Sequence, residues 1–236
     1  SRLARPLLAE AGMHSVEQAI RDLVVQALCQ LPSGERLRII ELGAGRPSFA
    51  AIICKEVDFN RCDYTFATTA SAVPEEWQSL QERFPAAELR QVSPAENVET
   101  AAIAAAGQFQ LALIIADFDT EQDALHALAY SRRQLAPGGS VLVFEQHQSR
   151  WMDFVFGARR SWWSVAADDS WVSRHRPAQF WRQQMQRVGF QTGVSLELSA
   201  DGASGPYLLL SQYTEQVSVA SPPAQAVTRN WLLVAD

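Results

Sequence analysis

Two glycines that follow the first apolar run of the chain form its first candidate ligand site. The run 37–42 predicts a buried strand, Gly43 and Gly45 follow it, and a helix is predicted to begin at Ser48. At such a junction the backbone can approach a nucleotide-type ligand closely, and the helix N-terminus offers unpaired N–H groups. A tight glycine turn without a ligand is the alternative interpretation.

The residues around these glycines indicate which nucleotide-type ligand is favoured. A dinucleotide fingerprint requires a third glycine where this chain has Ser48, so a dehydrogenase is disfavoured. Glu41, the acidic residue just before the turn, instead favours a sheet that binds S-adenosylmethionine (SAM).

Charge and composition exclude several other classes of function. The chain has 20 basic and 26 acidic residues and a net charge of −6, which argues against a dedicated nucleic-acid or anionic-membrane binder. No apolar run approaches the roughly 20 residues of a membrane span. The one lysine, Lys55, lies beside Glu56 and is a poor candidate nucleophile. The preference for arginine over lysine is typical of a GC-rich bacterial gene.

The cysteines and histidines predict neither disulfides nor a metal site. Cys29, Cys54 and Cys62 form no Cys-x-x-Cys pair, and no histidine stands at zinc-ligand spacing. Reduced thiols are the default in the cytoplasm, where we expect the protein to lie. The serines lie in no nucleophile elbow, so hydrolase chemistry is disfavoured.

Alternating apolar patterns predict an α/β domain with a mostly parallel sheet, helices on both faces and a helical N-terminal segment. Helices are predicted over 16–28, 48–57, 75–83, 121–135 and 177–188. Strands are predicted over 37–42, 63–68, 88–92, 109–116 and 140–145, with a closing pair at 194–198 and 207–212. Pro137-Gly138-Gly139 is predicted to end the fourth helix.

The apolar patterning and residue composition along the sequence predict one large domain over 1–213. It comprises a helical segment 1–36, a core sheet 37–145 and a tryptophan-rich segment with closing strands 146–213. A linker is predicted over 214–228, and 229–236 is predicted to be the first strand of a following unit. We therefore expect the chain to be a piece of a longer protein.

Motifs spread over about 1–213 resemble those of the C-methyltransferase domains of polyketide synthases. They are the segments 38–45, 63–66, 135–139, 142–145, 149–151, 156–157, 162–163 and 188–190. Many methyltransferases share the glycine turn, but the order Tyr-Thr-Phe, Pro-Gly-Gly, Phe-Gly and Trp-Trp is more specific. The resemblance implies a SAM-dependent methyltransferase (Rossmann-like) fold within a multidomain synthase.

The resemblance also implies a set of cofactor-binding positions, and several of them are altered here. The implied positions are Glu41, Gly43, Ala44, Gly45 and Thr68. The family continues its turn with further glycines, where this chain has Arg46-Pro47-Ser48. Thr68 stands where the family has an aspartate that accepts the ribose hydroxyls, and the adenine-binding aspartate has no counterpart over 90–94. No cofactor is therefore expected to bind well, although SAM would be the cofactor of an active domain.

The proton-abstracting pair of the family is altered as well. Its histidine falls on Asp119, whereas its glutamate is retained as Glu145. Two facing carboxylates would raise the pKa of one of them, which would let Asp119 act as the base. His126 is expected to face elsewhere, and His147 could swing towards Glu145 but is expected to face solvent.

These joint changes predict a non-catalytic (pseudo) methyltransferase domain that spaces neighbouring synthase domains. The alternative is an active SAM-dependent C-methyltransferase that methylates the α-carbon of a carrier-bound β-ketoacyl chain. A third hypothesis is a vestigial pocket that binds another small molecule or the carrier-protein arm. The implied partners are neighbouring synthase domains, with a ketoreductase-type unit on the C-terminal side, and an acyl carrier protein.

The segment after the core sheet carries further candidates. The tryptophan-rich stretch 151–171 could line an acyl channel, but packing in a core or lid is favoured. Arg159 and Arg160 could meet a phosphopantetheine phosphate, although a solvated pair is favoured. The basic run 174–176 is too short for an RNA site.

Overall fold

The computed structural model defines the architecture over most of the chain. It describes residues 4–43, 49–50, 53, 61–68, 75–85, 87–91, 107–116, 118, 120–166, 169–198 and 205–213. The predicted helix 48–57 lies mostly outside these residues, and the predicted linker 214–228 and strand 229–236 lie wholly outside them. The domain boundaries therefore stay predictions.

Five helices and nine strands are described. The helices are α1 (Ala4–Gln30), α2 (Glu75–Arg83), α3 (Glu121–Gln134), α4 (Arg150–Phe156) and α5 (Ala178–Arg187). The strands are β1 (Leu37–Gly43), β2 (Cys62–Thr68), β3 (Glu88–Gln91), β4 (Phe109–Ile115), β5 (Leu135–Gln146), β6 (Trp163–Val165), β7 (Trp171–Ser173), β8 (Val194–Glu197) and β9 (Pro206–Gln212). A short 3₁₀ turn, Arg160–Trp162, precedes β6.

Seven of the strands form one mixed sheet. Their order is β3-β2-β1-β4-β5-β9-β8, in which neighbours from β3 to β5 are parallel. Strand β9 pairs antiparallel with both β5 and β8, while β6 and β7 form a separate antiparallel pair. The predicted fold class is confirmed, including the antiparallel closing pair. The order reverses between β1 and β4, where the carboxyl ends of an open parallel sheet leave a crevice for a ligand.

Apolar side chains cover both faces of this sheet, as expected for parallel strands. Neighbouring residues of β1 point to opposite faces, so Ile39 packs in one cluster and Ile40 in the other. Helix α1 buries its predicted apolar stripe in the first cluster through Val16, Ile20, Val24 and Leu28. Helices α3 and α5 cover the second face with Ala124, Leu128, Trp181 and Met185. Burial on both faces therefore explains why these strands are continuous apolar runs.

The Pro-Gly-Gly segment differs from its predicted role. Helix α3 ends at Gln134, and β5 begins at once, with the three residues inside it as an irregularity in its pairing with β4. The N–H of Gly138, whose φ is +80°, donates to the Tyr213 carbonyl over 2.9 Å. The Tyr213 N–H donates in turn to the Gly139 carbonyl over 2.8 Å. The segment is therefore a bulge held to the chain after β9, a long-range pairing that local turn chemistry does not reveal.

No helix among the described residues combines the length and the apolarity that crossing a membrane requires. No group of three or more histidine, cysteine or acidic side chains among them is placed to hold a metal ion.

Candidate functional site

Two predicted cofactor residues lie side by side at the carboxyl edge of the sheet. Gly43 ends β1 and is the direct register partner of Thr68, which ends β2. The predicted positions Ala44, Gly45 and Asp119 lie outside the described residues. The parallel register brings the ends of β1 and β2 together. It thus places Gly43 and Thr68, two positions of the implied cofactor site, next to each other.

The Glu41 carboxylate is engaged by groups of the protein itself. The side chain is fully buried, and its two oxygens accept the N–H groups of Phe49 and Ala50 over 3.3 and 3.2 Å. The Tyr64 hydroxyl of β2 donates to the same carboxylate. Glu41 therefore ties β1 to β2 and to the helical residues after the glycine turn. The sequence identifies Tyr64 as part of the Tyr-Thr-Phe motif, but it does not predict the contact of Tyr64 with Glu41.

Thr68 is enclosed rather than open to a ligand. Its residue is 1% exposed and lies between Gly43 of β1 and Gln91 of β3 in the register of the sheet. A threonine offers one hydroxyl, whereas a carboxylate offers two oxygens that can accept both hydroxyls of a ribose. Thr68 therefore lies at the strand end where the resemblance implies a carboxylate, but it lacks the second acceptor oxygen.

Glu145 of β5 forms a pair with a histidine that the sequence did not single out. Its Oε1 atom lies 2.9 Å from Nδ1 of His175 and accepts the Gln146 N–H over 2.7 Å. The carboxylate is buried, and Oε2 has no hydrogen-bond partner among the described residues. The chain thus forms a histidine–glutamate pair on the retained glutamate, with the histidine contributed from another part of the sequence.

The tryptophan-rich segment positions His175. The imidazole packs edge-on against the Trp162 ring, with centroids 5.1 Å apart. The Trp162 indole N–H and the Ser173 hydroxyl both donate to Oδ1 of Asp153 over 2.8 Å. Asp153, on α4, therefore joins the 3₁₀ turn to Ser173 at the end of β7. Ser173 lies two residues before His175 in the chain. Within this segment Met152 is buried and Trp162 and Trp163 are partly buried, whereas Trp151 and Trp171 are more than half exposed.

The other two histidines considered from the sequence are held elsewhere. Nε2 of His147 lies 2.6 Å from a carboxylate oxygen of Glu197, and its ring packs on Tyr207. His126 contacts Gln122 on the surface of α3. His175 was overlooked because it lies within the basic run 174–176, and no spacing relates it to a glutamate 30 residues earlier.

Burial raises the pKa of Glu145, because the carboxylate form loses its hydration. The hydrogen bond and the charge of His175 oppose this rise, as do the backbone N–H groups of Gln146 and Arg176. Burial lowers the pKa of Arg176 and raises the pKa of Tyr207, whose hydroxyl donates to the Arg176 carbonyl over 2.6 Å.

We expect the variant Glu145→Gln to gain stability relative to the native chain as the pH rises. A raised pKa means that the folded state binds this proton more tightly than the unfolded chain does. The stabilisation is therefore complete below the unfolded value near 4.5 and is lost as the pH rises through the folded value. Glutamine cannot ionise and keeps a carbonyl acceptor, so it removes this loss.

Urea unfolding of both chains at several pH values from roughly 5 to 8 measures the effect. The variant Glu82→Gln, at an exposed position of α2, reports the change caused by removing a surface carboxylate. The quantity compared is the free energy of unfolding of Glu145→Gln minus that of the native chain. If this difference decreased as the pH rises, the folded state would favour the ionised form of Glu145, contrary to the expectation.

Two cavities lie on either side of the pair. Glu145 lines a cavity of about 10 Å³ together with Phe118, Arg174 and Trp181, among others. A cavity of this size can hold about one water molecule. His175 lines a larger cavity of about 310 Å³ with Gln148, Trp163, Trp171, Val172, Ser173, Arg176 and Pro177. Of these two cavities among the described residues, the one that His175 lines could admit an organic ligand.

This sheet order, with candidate residues at the carboxyl ends of its parallel strands, defines the fold of a SAM-dependent methyltransferase. Among solved structures, the CurJ carbon methyltransferase matches with a TM-score of 0.67 and 19% identity, over 84% of this chain and 54% of that one. The trans-methyltransferase CalH, solved in complex with SAH, matches with a TM-score of 0.61 and 19% identity, over 76% of this chain and 52% of that one.

Curated proteins are consistent with this class. The hybrid PKS-NRPS synthetase poxE of Penicillium oxalicum is 27% identical over 207 residues, which are 83% of this chain and 5% of the synthetase. No family model matches the chain. These similarities confirm the resemblance to polyketide synthase C-methyltransferase domains. The chain spans only a small part of such a synthase and about half of the solved methyltransferases.

The bacterial source suggested by composition conflicts with this comparison. The arginine preference predicts a GC-rich bacterial gene, whereas the curated relatives come from the fungi Penicillium, Talaromyces and Aspergillus. Arginine bias follows the base composition of a gene, which is not restricted to one kingdom.

Proposed function

We propose that the chain is a methyltransferase-fold domain of a polyketide synthase that does not transfer methyl groups and instead spaces neighbouring catalytic domains. The observation that carries this proposal is Thr68. The resemblance implies a ribose-binding carboxylate at this position, but the chain has a threonine that is 1% exposed. An unmet polar contact of this kind costs about 1–3 kcal/mol.

Two further features support a domain without methyl transfer. The oxygens of Glu41 are occupied by backbone N–H groups of the protein and by Tyr64. The cavity that Glu145 lines among the described residues has room for about one water molecule, which is too little for an acyl chain. Since the relatives are large synthases, the proposed partners are adjoining synthase domains, including a ketoreductase-type unit whose first strand would be 229–236, and an acyl carrier protein.

We expect isothermal titration with SAM, and separately with SAH, to give no heat at about 1 mM ligand. The physical reason is that the ribose loses a bidentate acceptor and meets an enclosed strand end at Thr68. A dissociation constant of 10 µM would correspond to 100-fold ligand excess and would stabilise the chain by about 2.7 kcal/mol, visible as a thermal shift.

The CurJ carbon methyltransferase, titrated in parallel, is the positive control for ligand quality. Micromolar binding accompanied by methyl transfer to a β-ketoacyl thioester would contradict the proposal. That result would establish the alternative, an active SAM-dependent C-methyltransferase.

A further inference from the structure

Two buried polar atoms of the second core cluster and its sheet have no hydrogen-bond partner among the described residues. They are the indole Nε1 of Trp181, on α5, and Oε2 of Glu145, on β5. The two residues are 1% and 3% exposed, so bulk solvent does not reach either atom. Buried polar atoms in folded proteins are nearly always hydrogen-bonded, so this donor and this acceptor both call for a partner.

Both residues line the same small cavity, which lies where α3 and α5 meet the end of β5. Its volume of about 10 Å³ is enough for one water molecule, provided that two to four polar groups face it. The Trp181 ring packs against Phe118 and Phe180, so neighbouring rings hold the indole in place. The cavity and the two buried polar atoms are independent observations that point to one bound molecule.

The chemistry of the two atoms limits what that molecule can be. The indole N–H is a donor only, and an ionised carboxylate oxygen is an acceptor only, so the ligand must accept from one and donate to the other. A metal ion or an ammonium ion cannot accept the indole hydrogen, and a halide ion cannot donate to the carboxylate. Water does both, and it fits a volume that is too small for an organic ligand.

We propose that this cavity binds one internal water molecule, which accepts the Trp181 Nε1–H and donates to Oε2 of Glu145. The water joins α5 to β5 where the two side chains share no direct hydrogen bond. It also gives each oxygen of the carboxylate a partner, because Oε1 already contacts His175 and the Gln146 N–H. Trp181 is thereby a positioning residue for Glu145, and this role depends neither on a cofactor nor on a reaction.

NMR hydration measurements on the 236-residue chain with isotope-labelled tryptophan test the site. We expect a cross peak between the Trp181 indole N–H and the water resonance, with the sign that a long-lived bound water gives. Trp181→Phe removes one of the seven indole signals and so assigns it. Trp151, which is 67% exposed, should show only brief surface contacts. Trp163, whose indole N–H donates to the Gly157 carbonyl, should show no long-lived water.

A hydroxyl group that exchanges its hydrogen with solvent can relay such a cross peak, and one variant removes this source. Ser164 lines the same cavity, and its Oγ accepts a hydrogen bond from Nη2 of Arg176 over 3.1 Å. In Ser164→Ala the cross peak of Trp181 should remain. Its loss would assign the signal to the serine and overturn the water site.

A double-mutant cycle measures the coupling that the water carries. Trp181→Phe keeps an aromatic ring without the indole N–H, and Glu145→Met removes both oxygens from a side chain of similar length. Urea unfolding should show that Trp181→Phe raises the unfolding constant about tenfold less in the Glu145→Met chain than in the native chain. Combined with Glu82→Gln on the exposed side of α2, Trp181→Phe should keep its full effect. Equal effects of Trp181→Phe in the native and Glu145→Met chains would contradict a bridging water.

The water site and the proposed function fail by different results. A Trp181 indole without a long-lived water signal overturns the water site, as does a crystal structure in which Nε1 donates directly to Oε2 of Glu145. Both results leave the spacing role standing. SAM binding with methyl transfer overturns the proposed function, whereas the water signal at Trp181 would still support the bound water.

Discussion

Replacing Trp181 by alanine is expected to lower the free energy of unfolding by about 3–5 kcal/mol. Trp181 is the largest side chain among those that are fully buried, with 1% of its surface exposed. It packs edge-on against Phe180 with ring centroids 5.4 Å apart, and against Phe118 at 6.2 Å. Its removal leaves a cavity between α5 and the second face of the sheet that the backbone cannot close completely.

The matched control is Trp151→Ala on α4. Trp151 is 67% exposed and stacks on Phe154, so its loss should change stability by no more than about 0.5 kcal/mol. Urea unfolding monitored by far-UV circular dichroism measures both variants without relying on the tryptophans removed. Equal losses in the two variants would mean that α5 does not anchor the second face of the sheet.

The sheet could be predicted from sequence because its signals are local. Parallel strands buried on both faces produce runs such as 37–42, and α1 shows its buried stripe from Val16 to Leu28 at helical spacing. The antiparallel closing pair followed from two short apolar runs near the end of the domain. The bulge at Pro137-Gly138-Gly139 was missed because it depends on Tyr213, more than 70 residues away.

The site could be predicted only where a strand end fixes a residue. Gly43, Thr68 and Glu145 lie at or near the carboxyl ends of their strands, while their role in a site stays a prediction. His175 reaches Glu145 through the folding of a segment without periodicity. Its position is set by aromatic packing on Trp162, a contact that no spacing rule contains.

The two sides of the implied site differ in how far their residues are enclosed. On the side of β1 and β2, the described residues are closed: Thr68 and Glu41 are both buried. On the side of β5, a histidine–carboxylate pair is present and borders a cavity. The Trp162 ring packs against His175, and Asp153 accepts the Trp162 indole N–H, so the tryptophan-rich segment supports the histidine side of the pair.

Replacing Asp153 by alanine is expected to lower the free energy of unfolding by about 2–4 kcal/mol, because two hydrogen bonds to a charged acceptor are lost together. The Trp162 indole N–H and the Ser173 hydroxyl both donate to its Oδ1 over 2.8 Å. Ser173 is 3% exposed, so water cannot fully replace the lost acceptor. Urea unfolding gives the total, and amide hydrogen exchange should show the loss of protection concentrated in β6 and β7.

Two further variants decide whether this loss comes from the hydrogen bonds. Asp153→Asn keeps an oxygen acceptor and should retain more than half of the lost stability, whereas it would match Asp153→Ala if only charge mattered. Asp22→Ala removes an exposed aspartate of α1 that contacts Arg21 and should cost less than about 0.5 kcal/mol. If Asp153→Ala cost no more than Asp22→Ala, the hydrogen bonds of Asp153 would not be what holds His175 against Glu145, and packing of Trp162 alone would have to position the imidazole.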